Sequence, residues 1–483
     1  MSLHDNLIIH GDNLKALKAL LPTYAGRVKC IYIDPPYNTG NEGWVYNDNV
    51  NAPMIQTWLG ETVDKDDLSR HDKWLCMMMP RLTLLRELLR EDGVIFVSID
   101  NNEVDHLRLL MDEIFGSENY ITTIANVSNP KGRSDDKFVP TAHEYLLMYK
   151  KQDDPELYGW EPGENVLRRY RREDEYGRYR EIDLRKTGEN DRREDRPNLF
   201  YYFYFNESTG ELLTSKEKRD DLPDHVEIYP QKEDGTEGNW RWSMETANER
   251  IDRLVAKKMA RRGVWTIYEK DYLTDDERVK PTSAWTKKVF NSERGSEQFI
   301  ALGFNKEDFP KPKPVGLLTH ILEFATKGDD IILDSFAGSG TTAHAVLELN
   351  QKDGGNRKFI LIEMEDYAND VTAERVRRVI QGVPDSPIEE YQNGVSGTFS
   401  YFKLGDPIEM ETLLRGDKLP SYEDLARYVF YTATGEEFDE TQIDESRSFI
   451  GESKDYEIYL FYKPDIEYLK STALTLERAE ALG

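Results

Sequence analysis

Val28-Lys29-Cys30-Ile31-Tyr32-Ile33-Asp34-Pro35-Pro36-Tyr37-Asn38-Thr39-Gly40 is the stretch on which the reading of this chain turns. Ile31 to Ile33 is an apolar run of the kind that forms a buried strand. Pro35 and Pro36 stop it, because neither ring nitrogen can donate to a sheet ladder. Asp34 is left as a lone carboxylate at the carboxyl end of that strand, with the Tyr37 ring three residues on. In open α/β sheets this edge is where ligands bind.

A second strand ends in a comparable way far downstream. Ile331-Ile332-Leu333-Asp334 is apolar, and Ser335-Phe336-Ala337-Gly338-Ser339-Gly340-Thr341-Thr342 leads from it directly into a helix beginning near Ala343. Strand, glycine-rich turn and helix start make a nucleotide-type site. There is neither a G-x-G-x-x-G nor a Gly-Lys-Ser/Thr, which favours a ligand without phosphates. Gly338 and Gly340 permit close backbone approach, and Thr341 and Thr342 open the helix. About 25–30 residues later, one β-α-β step, Phe359 to Ile362 reads as another strand ending at Glu363, where an acidic side chain commonly holds ribose hydroxyls.

Asp34-Pro35-Pro36-Tyr37 resembles the catalytic motif of the amino-directed DNA methyltransferases, and Asp334-x-Phe336-Ala-Gly338-Ser-Gly340-Thr341-Thr342 resembles their S-adenosylmethionine site. The tetrad has the residue types such chemistry needs. An exocyclic base amine is a poor nucleophile because its lone pair is conjugated with the ring. The Asp34 carboxylate and the Pro35 carbonyl can each accept an N–H bond and free that lone pair, while Tyr37 can stack on a base turned out of the duplex. The catalysis implied is positioning and electrostatics, without a covalent intermediate. The resemblance makes Asp334, Phe336, Gly338, Gly340, Thr341 and Glu363 the expected cofactor residues, with Asp12 (in a Gly-Asp-Asn segment) and Lys313 added. A plain helix cap is the competing reading of Asp12.

The order of parts, catalytic tetrad first and cofactor loop last, resembles the circularly permuted beta class. With Arg196-Pro197-Asn198-Leu199 and the run Phe309-Pro310-Lys311-Pro312-Lys313-Pro314, it is most similar to modification subunits of type III restriction systems. The fold implied is a doubly wound, mostly parallel, Rossmann-like α/β sheet. Four regions follow: 1–150 (catalytic half), 151–300 (target-recognition insert), 301–380 (cofactor half) and 381–483 (acidic C-terminal α/β module). The resemblance implies N6 methylation of adenine in duplex DNA, a homodimer, and a restriction partner with nuclease and ATPase activity. The N4-cytosine enzymes usually carry serine where Asp34 stands, and the protein-glutamine methyltransferases usually show Asn-Pro-Pro-Tyr. Three alternatives stay open: cytosine N4, an RNA substrate, and a DNA-reading subunit in which methylation is secondary.

With 483 residues, the chain has room for roughly two to four domains and needs no covalent or metal staples. Its two cysteines, Cys30 and Cys76, read as reduced thiols of a cytoplasmic protein. The eight histidines show no metal-ligand spacing, so no metal is expected. No stretch has the apolar length of a membrane span, and the N-terminus lacks signal-peptide character. A net charge of −28 argues on its face against a nucleic-acid partner. The distribution softens that: Arg250–Lys288 has 11 basic against 6 acidic residues, whereas Gly405–Glu457 has 5 against 15.

Leu7–Ile9 reads as a strand and Leu14–Leu21 as a helix. Asn38–Asp72 reads as a long loop closing over the site, Lys73–Arg90 and Glu103–Phe115 as helices, and Val94–Ile99 as a buried strand. Tyr120–Val127 and Glu144–Tyr149 read as further strands, with Lys131 and Arg133 between them as phosphate contacts. The insert interleaves Arg with Tyr and Trp, and its Arg192, Arg193 and Arg196 are expected on DNA. Arg250–Arg262 reads as a basic helix, Val315–Thr326 and Glu365–Ile380 as helices, and Tyr456–Tyr462 as a strand. Leu474–Leu482 looks helical and uncapped; subunits of the kind the chain resembles often continue past such a point, so either a short natural variant or a trimmed chain is expected.

Overall fold

The computed structural model describes residues 5–39, 69–132, 137–260, 263–274, 277–405, 419–436, 438–454 and 456–471. Arg133, most of the 38–72 loop and the 474–482 segment lie outside them. The chain divides into two compact units, one formed by 1–160 with 280–483 and one by 161–279.

Strands β1 (Leu7–His10), β2 (Val28–Ile33), β3 (Leu89–Ile99), β4 (Tyr120–Asn126) and β5 (Glu144–Lys150) come first. The 161–279 unit supplies β6 (Arg172–Asp174), β7 (Gly177–Asp183), β8 (Tyr202–Phe205), β9 (Leu212–Ser215), β10 (Val226–Ile228), β11 (Leu254–Lys258) and β12 (Trp265–Tyr272). Then follow β13 (Ala284–Trp285), β14 (Ile331–Asp334), β15 (Lys358–Glu363), β16 (Ser400–Lys403) and a hairpin of β17 (Phe449–Glu452) and β18 (Glu457–Tyr459).

The larger unit is built on a nine-stranded sheet in the order β13-β4-β5-β3-β2-β14-β15-β1-β16. Only β5 runs antiparallel to its neighbours in it. Its central strands are apolar on both sides, as a sheet covered on both faces requires. Ile31, Ile33, Ile95, Val97, Leu333 and Ile360 face one layer, which includes Leu17 of α1 (Asn13–Tyr24), Trp74 and Leu82 of α2 (Arg70–Leu88) and Leu107 of α3 (Val104–Phe115). Cys30, Tyr32, Phe96, Ile332, Phe359 and Leu361 alternate to the other layer. There they meet Leu318 and Ile321 of α4 (Val315–Ala325) and Val346 of α5 (Thr341–Asp353).

The helix after β2 therefore packs on one face and the helix after β14 on the other. Between these adjacent parallel strands the winding reverses, and at their carboxyl ends a crevice opens. Asp34 and Asp334 stand on its two sides.

Two expected helices are not continuous helices. Within 250–262, Leu254 and Ala256 alternate inward and pair with β12, so the period is two and Leu254–Lys258 is strand β11, with Lys257 paired to Glu181. Over 365–380, a 3₁₀ turn (Asp366–Ala368) and a π turn (Asn369–Ala373) precede α6 (Glu374–Gln381). The wide turn places Thr372 so that its hydroxyl donates to the Gly338 carbonyl at 2.6 Å.

The 161–279 unit holds two antiparallel sheets, β10-β8-β9 and β11-β12-β7-β6, around Tyr201, Phe203, Trp240 and Ile267. Trp240 is fully buried and donates to the Tyr201 carbonyl, so it is core and not a stacking platform. Trp285 is likewise buried, in the larger unit. Arginines in this unit are matched by acids, as in Arg180–Asp271, Arg193–Glu237 and Arg241–Glu269.

Leu361 lies wholly inside the sheet. Leu361→Ala is expected to cost about 2–5 kcal/mol in urea unfolding; an unchanged midpoint would contradict its place in the core.

Candidate functional site

The site grows from the end of β2. Beyond Ile33 the backbone leaves the sheet, and each residue of the turn is held by a different element. The Pro36 carbonyl accepts a hydrogen bond from the Trp74 indole at 2.7 Å. Asn38, fully buried, adopts a left-handed conformation (φ 57°) that asparagine tolerates better than most residues. Its amide donates to the buried Glu103 carboxylate and to the Arg70 carbonyl. The Tyr37 hydroxyl donates to Glu144 Oε2 at 3.0 Å and accepts from Lys313 Nζ at 2.7 Å. Ring and carboxylate are thus fixed before any ligand arrives.

Lys313 is the hub. Its Nζ is 3.1 Å from Asp34 Oδ1 and 3.0 Å from Glu144 Oε2. Burial opposes its charge, but the two carboxylates outweigh burial and raise its pKa. Burial pushes Asp34 up; Lys313 counteracts and Glu144 adds to the rise. Burial also opposes the Glu144 charge, yet Lys313 and hydrogen bonds from Tyr37 and Asn126 hold that carboxyl below its ordinary value.

On the opposite side of the crevice, Asp334 Oδ1 accepts from Phe336 N at 3.0 Å and Oδ2 from the Thr342 hydroxyl at 2.5 Å. Glu363, ending β15, accepts from Gly338 N at 2.7 Å and from Met364 and Glu365 N. Gly340 starts α5 at φ 78°, and a Cβ there would stand 2.9 Å from the Thr372 carbonyl, so no larger residue fits. Burial raises Asp334 to about 7 and Glu363 to about 7. One cleft is lined by Asp34, Lys313, Asp334, Phe336, Gly338 and Thr341 together.

The residues singled out from the sequence thus divide. Asp34, Tyr37, Lys313, Asp334, Phe336, Gly338, Gly340, Thr341 and Glu363 gather at one sheet edge, with Pro35 and Pro36 carrying the turn. Lys313 pairs with the tetrad's carboxylate, while its carbonyl accepts from Thr341 Oγ1 at 3.2 Å. Asp12 caps α1, accepting from Lys15 N at 2.9 Å, and faces Arg81 at 3.7 Å. Lys131 lies exposed in a turn. Arg192, Arg193 and Arg196 belong to the 161–279 unit, where Arg193 already pairs with Glu237.

Glu144 was not read from the sequence. Its only signal there is a carboxylate heading an apolar strand. Asn13 was missed too: it accepts from Arg81 Nε at 2.6 Å and donates to the Ser335 carbonyl, tying α1 to the glycine loop. Arg375, fully buried, reaches under that loop to Ser339 and Thr341.

A reversal point flanked by a carboxylate–proline turn and a glycine loop defines a ligand-binding α/β enzyme site. The chain belongs to the DNA methylase family, whose N6/N4 model matches residues 28–374. It is 38% identical over 391 residues to the type II methyltransferase M.KpnI of Klebsiella pneumoniae, covering 78% of this chain and 88% of that one. It is 36% identical over 379 residues to the EcoPI Mod subunit of Escherichia phage P1, and 30% identical over 462 residues to the StyLTI Mod subunit of Salmonella typhimurium. These matches cover 75% and 89% of this chain, and 58% and 64% of the respective Mod subunits. Among solved structures it is similar to the M1.HpyAVI–SAM complex (13% identity, TM-score 0.33, 77% and 98% covered). It is also similar to the cytosine-N4-specific PvuII DNA methyltransferase (11% identity, TM-score 0.36, 77% and 86% covered). Among the described residues no helix is long and apolar enough to cross a membrane.

Two measurements follow from the charges. A carboxyl raised by folding favours the folded state below its unfolded value, and that contribution is lost as pH rises through the folded one. The Asp334 contribution should therefore be lost between about pH 4 and about pH 7, so the stability difference between wild type and Asp334→Asn should shrink across that window. An identical pH profile in the variant would contradict the assignment. In carboxyl NMR titrations, Lys313→Met should raise the Asp34 pKa further and Glu144→Gln should lower it; shifts of the reverse sign would remove Lys313 from its role.

Proposed function

We propose that this protein is a site-specific methyltransferase that moves a methyl group from S-adenosylmethionine to the N6 amine of adenine in duplex DNA, as the modification activity of a restriction-modification system. The observation that carries the reading is the meeting of Asp34 and the Asp334–Gly340 loop across one crevice, at the ends of adjacent strands. Membership of the DNA methylase family supports the reaction class. The choice of adenine rests on Asp34 at the head of the tetrad.

The residues fit the cofactor. Two carboxyls raised by burial, and no glycine-lysine phosphate cradle, suit a ligand that brings positive charge and hydroxyls. Glu363 would take the ribose hydroxyls, and Asp334, Phe336, Gly338, Gly340 and Thr341 would shape the cleft around the rest, with Asn13 and Arg81 bracing the loop from behind. The bound sulfonium supplies an electrophilic methyl group.

The chain's own work is on the base. The Asp34 carboxylate and the Pro35 carbonyl each accept an N–H bond from the amine. This pulls the nitrogen toward a tetrahedral shape and points its lone pair out of the ring plane. Tyr37, its hydroxyl anchored by Glu144 and Lys313, offers a fixed face for a flipped base to stack on. Lys313 counteracts the effect of burial on Asp34 and so favours its ionised form. Its raised basicity suits Asp34 to take the proton the amine sheds after transfer. The 161–279 unit, with Arg192, Arg193 and Arg196, is the target-recognition part of this reading, and Lys131 and Arg133 meet phosphates. The names of its relatives, subunits of type III restriction-modification enzymes, support duplex DNA and a restriction subunit as partners; a second copy of the chain is what the family resemblance alone implies.

Long-read sequencing of DNA from an expression host lacking adenine methylation tests this. Wild type should place N6-methyladenine in one short motif, and Asp34→Ala should lower the rate by roughly 10²–10³-fold in vitro. Cytosine N4 in the motif would correct the base; no modified motif would overturn the proposal.

A further inference from the structure

Behind the turn that carries Tyr37, three side chains converge that the methyl-transfer reading does not use. His71 lies in the first turn of α2, Glu103 immediately precedes α3, and His106 lies in the first turn of α3. His71 Nδ1 is 2.6 Å from Glu103 Oε1, and His106 Nδ1 is 2.9 Å from Glu103 Oε2. One ligand atom from each residue lies within 4.8 Å of those of the other two. The two imidazole rings are 4.7 Å apart, inclined at 37°. Glu103 is completely buried, while His71 and His106 are 33% and 42% exposed, so the cluster is reached by solvent through its histidines.

Hydrogen bonding alone leaves this arrangement incomplete. Glu103 Oε1 takes His71 and the Asn38 amide. Glu103 Oε2 and His106 Nδ1 are shielded from solvent and 2.9 Å apart, yet they are not aligned as donor and acceptor, and neither has another hydrogen-bond partner among the described residues. Two buried polar atoms 2.9 Å apart without an aligned hydrogen bond make an arrangement that a shared cation can complete. The Glu103-x-x-His106 spacing sets both side chains on one side of a helical turn, as in carboxylate-bridged metal proteins built on helices. The histidine spacing considered in the sequence passes over this, because His71 comes from another helix and the middle donor is a carboxylate. Two imidazoles and one carboxylate suit a divalent transition ion, not Mg²⁺ or Ca²⁺, which take oxygen ligands.

We propose that His71, Glu103 and His106 form a binding site for a divalent transition metal, Zn²⁺ by its donor set, which ties the first turns of α2 and α3 together and braces Asn38 behind Tyr37. Coordination at about 2.0–2.1 Å places tetrahedral ligands about 3.3 Å apart, so each imidazole swings outward by a few tenths of an ångström. The fourth position is open to water. A metal on His71 Nδ1 leaves the proton on Nε2, which now faces Arg70 Nε at 3.4 Å, so Arg70 turns away on loading. The Asn38 amide, donating to the ligating carboxylate, is the outer hydrogen bond such ligands carry.

The test uses the full, tag-free chain stripped with chelator. Equilibrium dialysis against Zn²⁺ should give one ion per chain, and Co²⁺ in its place should show the intense visible absorption of a four-coordinate site. His106→Asn and His71→Asn should each weaken Zn²⁺ binding at least tenfold. The thermal midpoint should rise with Zn²⁺ in wild type and not in the variants. His106 is the more exposed ligand, so His106→Asn keeps the test decisive if His71→Asn fails to fold. No bound metal, binding undiminished in His106→Asn, or a Co²⁺ spectrum like that of the hydrated ion would each overturn the site.

Discussion

An ammonium group held between two carboxylates organises the sheet edge that carries Asp34 and Tyr37. Lys313 arrives from the segment before α4, Asp34 from the end of β2 and Glu144 from the start of β5. Taking such charges from water costs several kcal/mol each and is tolerated only with good mutual geometry. Lys313 meets that condition with contacts of 3.0 and 3.1 Å, and a third, to the Tyr37 hydroxyl, at 2.7 Å. The trio still carries one surplus negative charge. Removing Lys313 would leave two facing carboxylates, so the charge balance around Asp34 and Tyr37 depends on a residue almost 280 positions away.

The opposite side of the crevice is built on the same economy of charge. Asp334 and Glu363 accept backbone and hydroxyl donors from the very loop they shape, which orders Phe336 to Thr342 around them. Burial raises both carboxyls to about 7, so their charged forms are disfavoured despite these donors. A cationic ligand would relieve that cost, so the carboxyls that weaken the empty protein are those that would favour binding.

What the sequence made legible was what depends on neighbours in the chain. A strand stopped by two prolines exposes Asp34 wherever it occurs, and a glycine turn between Asp334 and a helix is likewise a local event. The mostly parallel, doubly wound sheet was legible through the family resemblance that these two motifs carry. Glu144, Asn13, Arg81 and Arg375 were invisible because their roles arise only when distant segments pack. The 250–262 segment misled because its basic residues hid a two-residue alternation of Leu254 and Ala256, settled by pairing with β12. The arginine–aromatic pattern of the insert was legible as composition. It did not reveal that Trp240 would be core, or that Arg193 would be taken up by Glu237.

The pairing of β2 with β14 joins residues about 300 positions apart. At a translation rate of about 5–20 residues per second, β2 waits roughly 15–60 s for its neighbour. During that interval β3 can cover one of its edges, while the other presents unpaired amides and carbonyls flanked by Ile31 and Ile33. Every nascent chain thus passes through a state with an open, apolar parallel edge, the kind that recruits chaperones or pairs with another chain. Co-translational vulnerability is built into the permuted order of the halves, whatever the stability of the finished sheet.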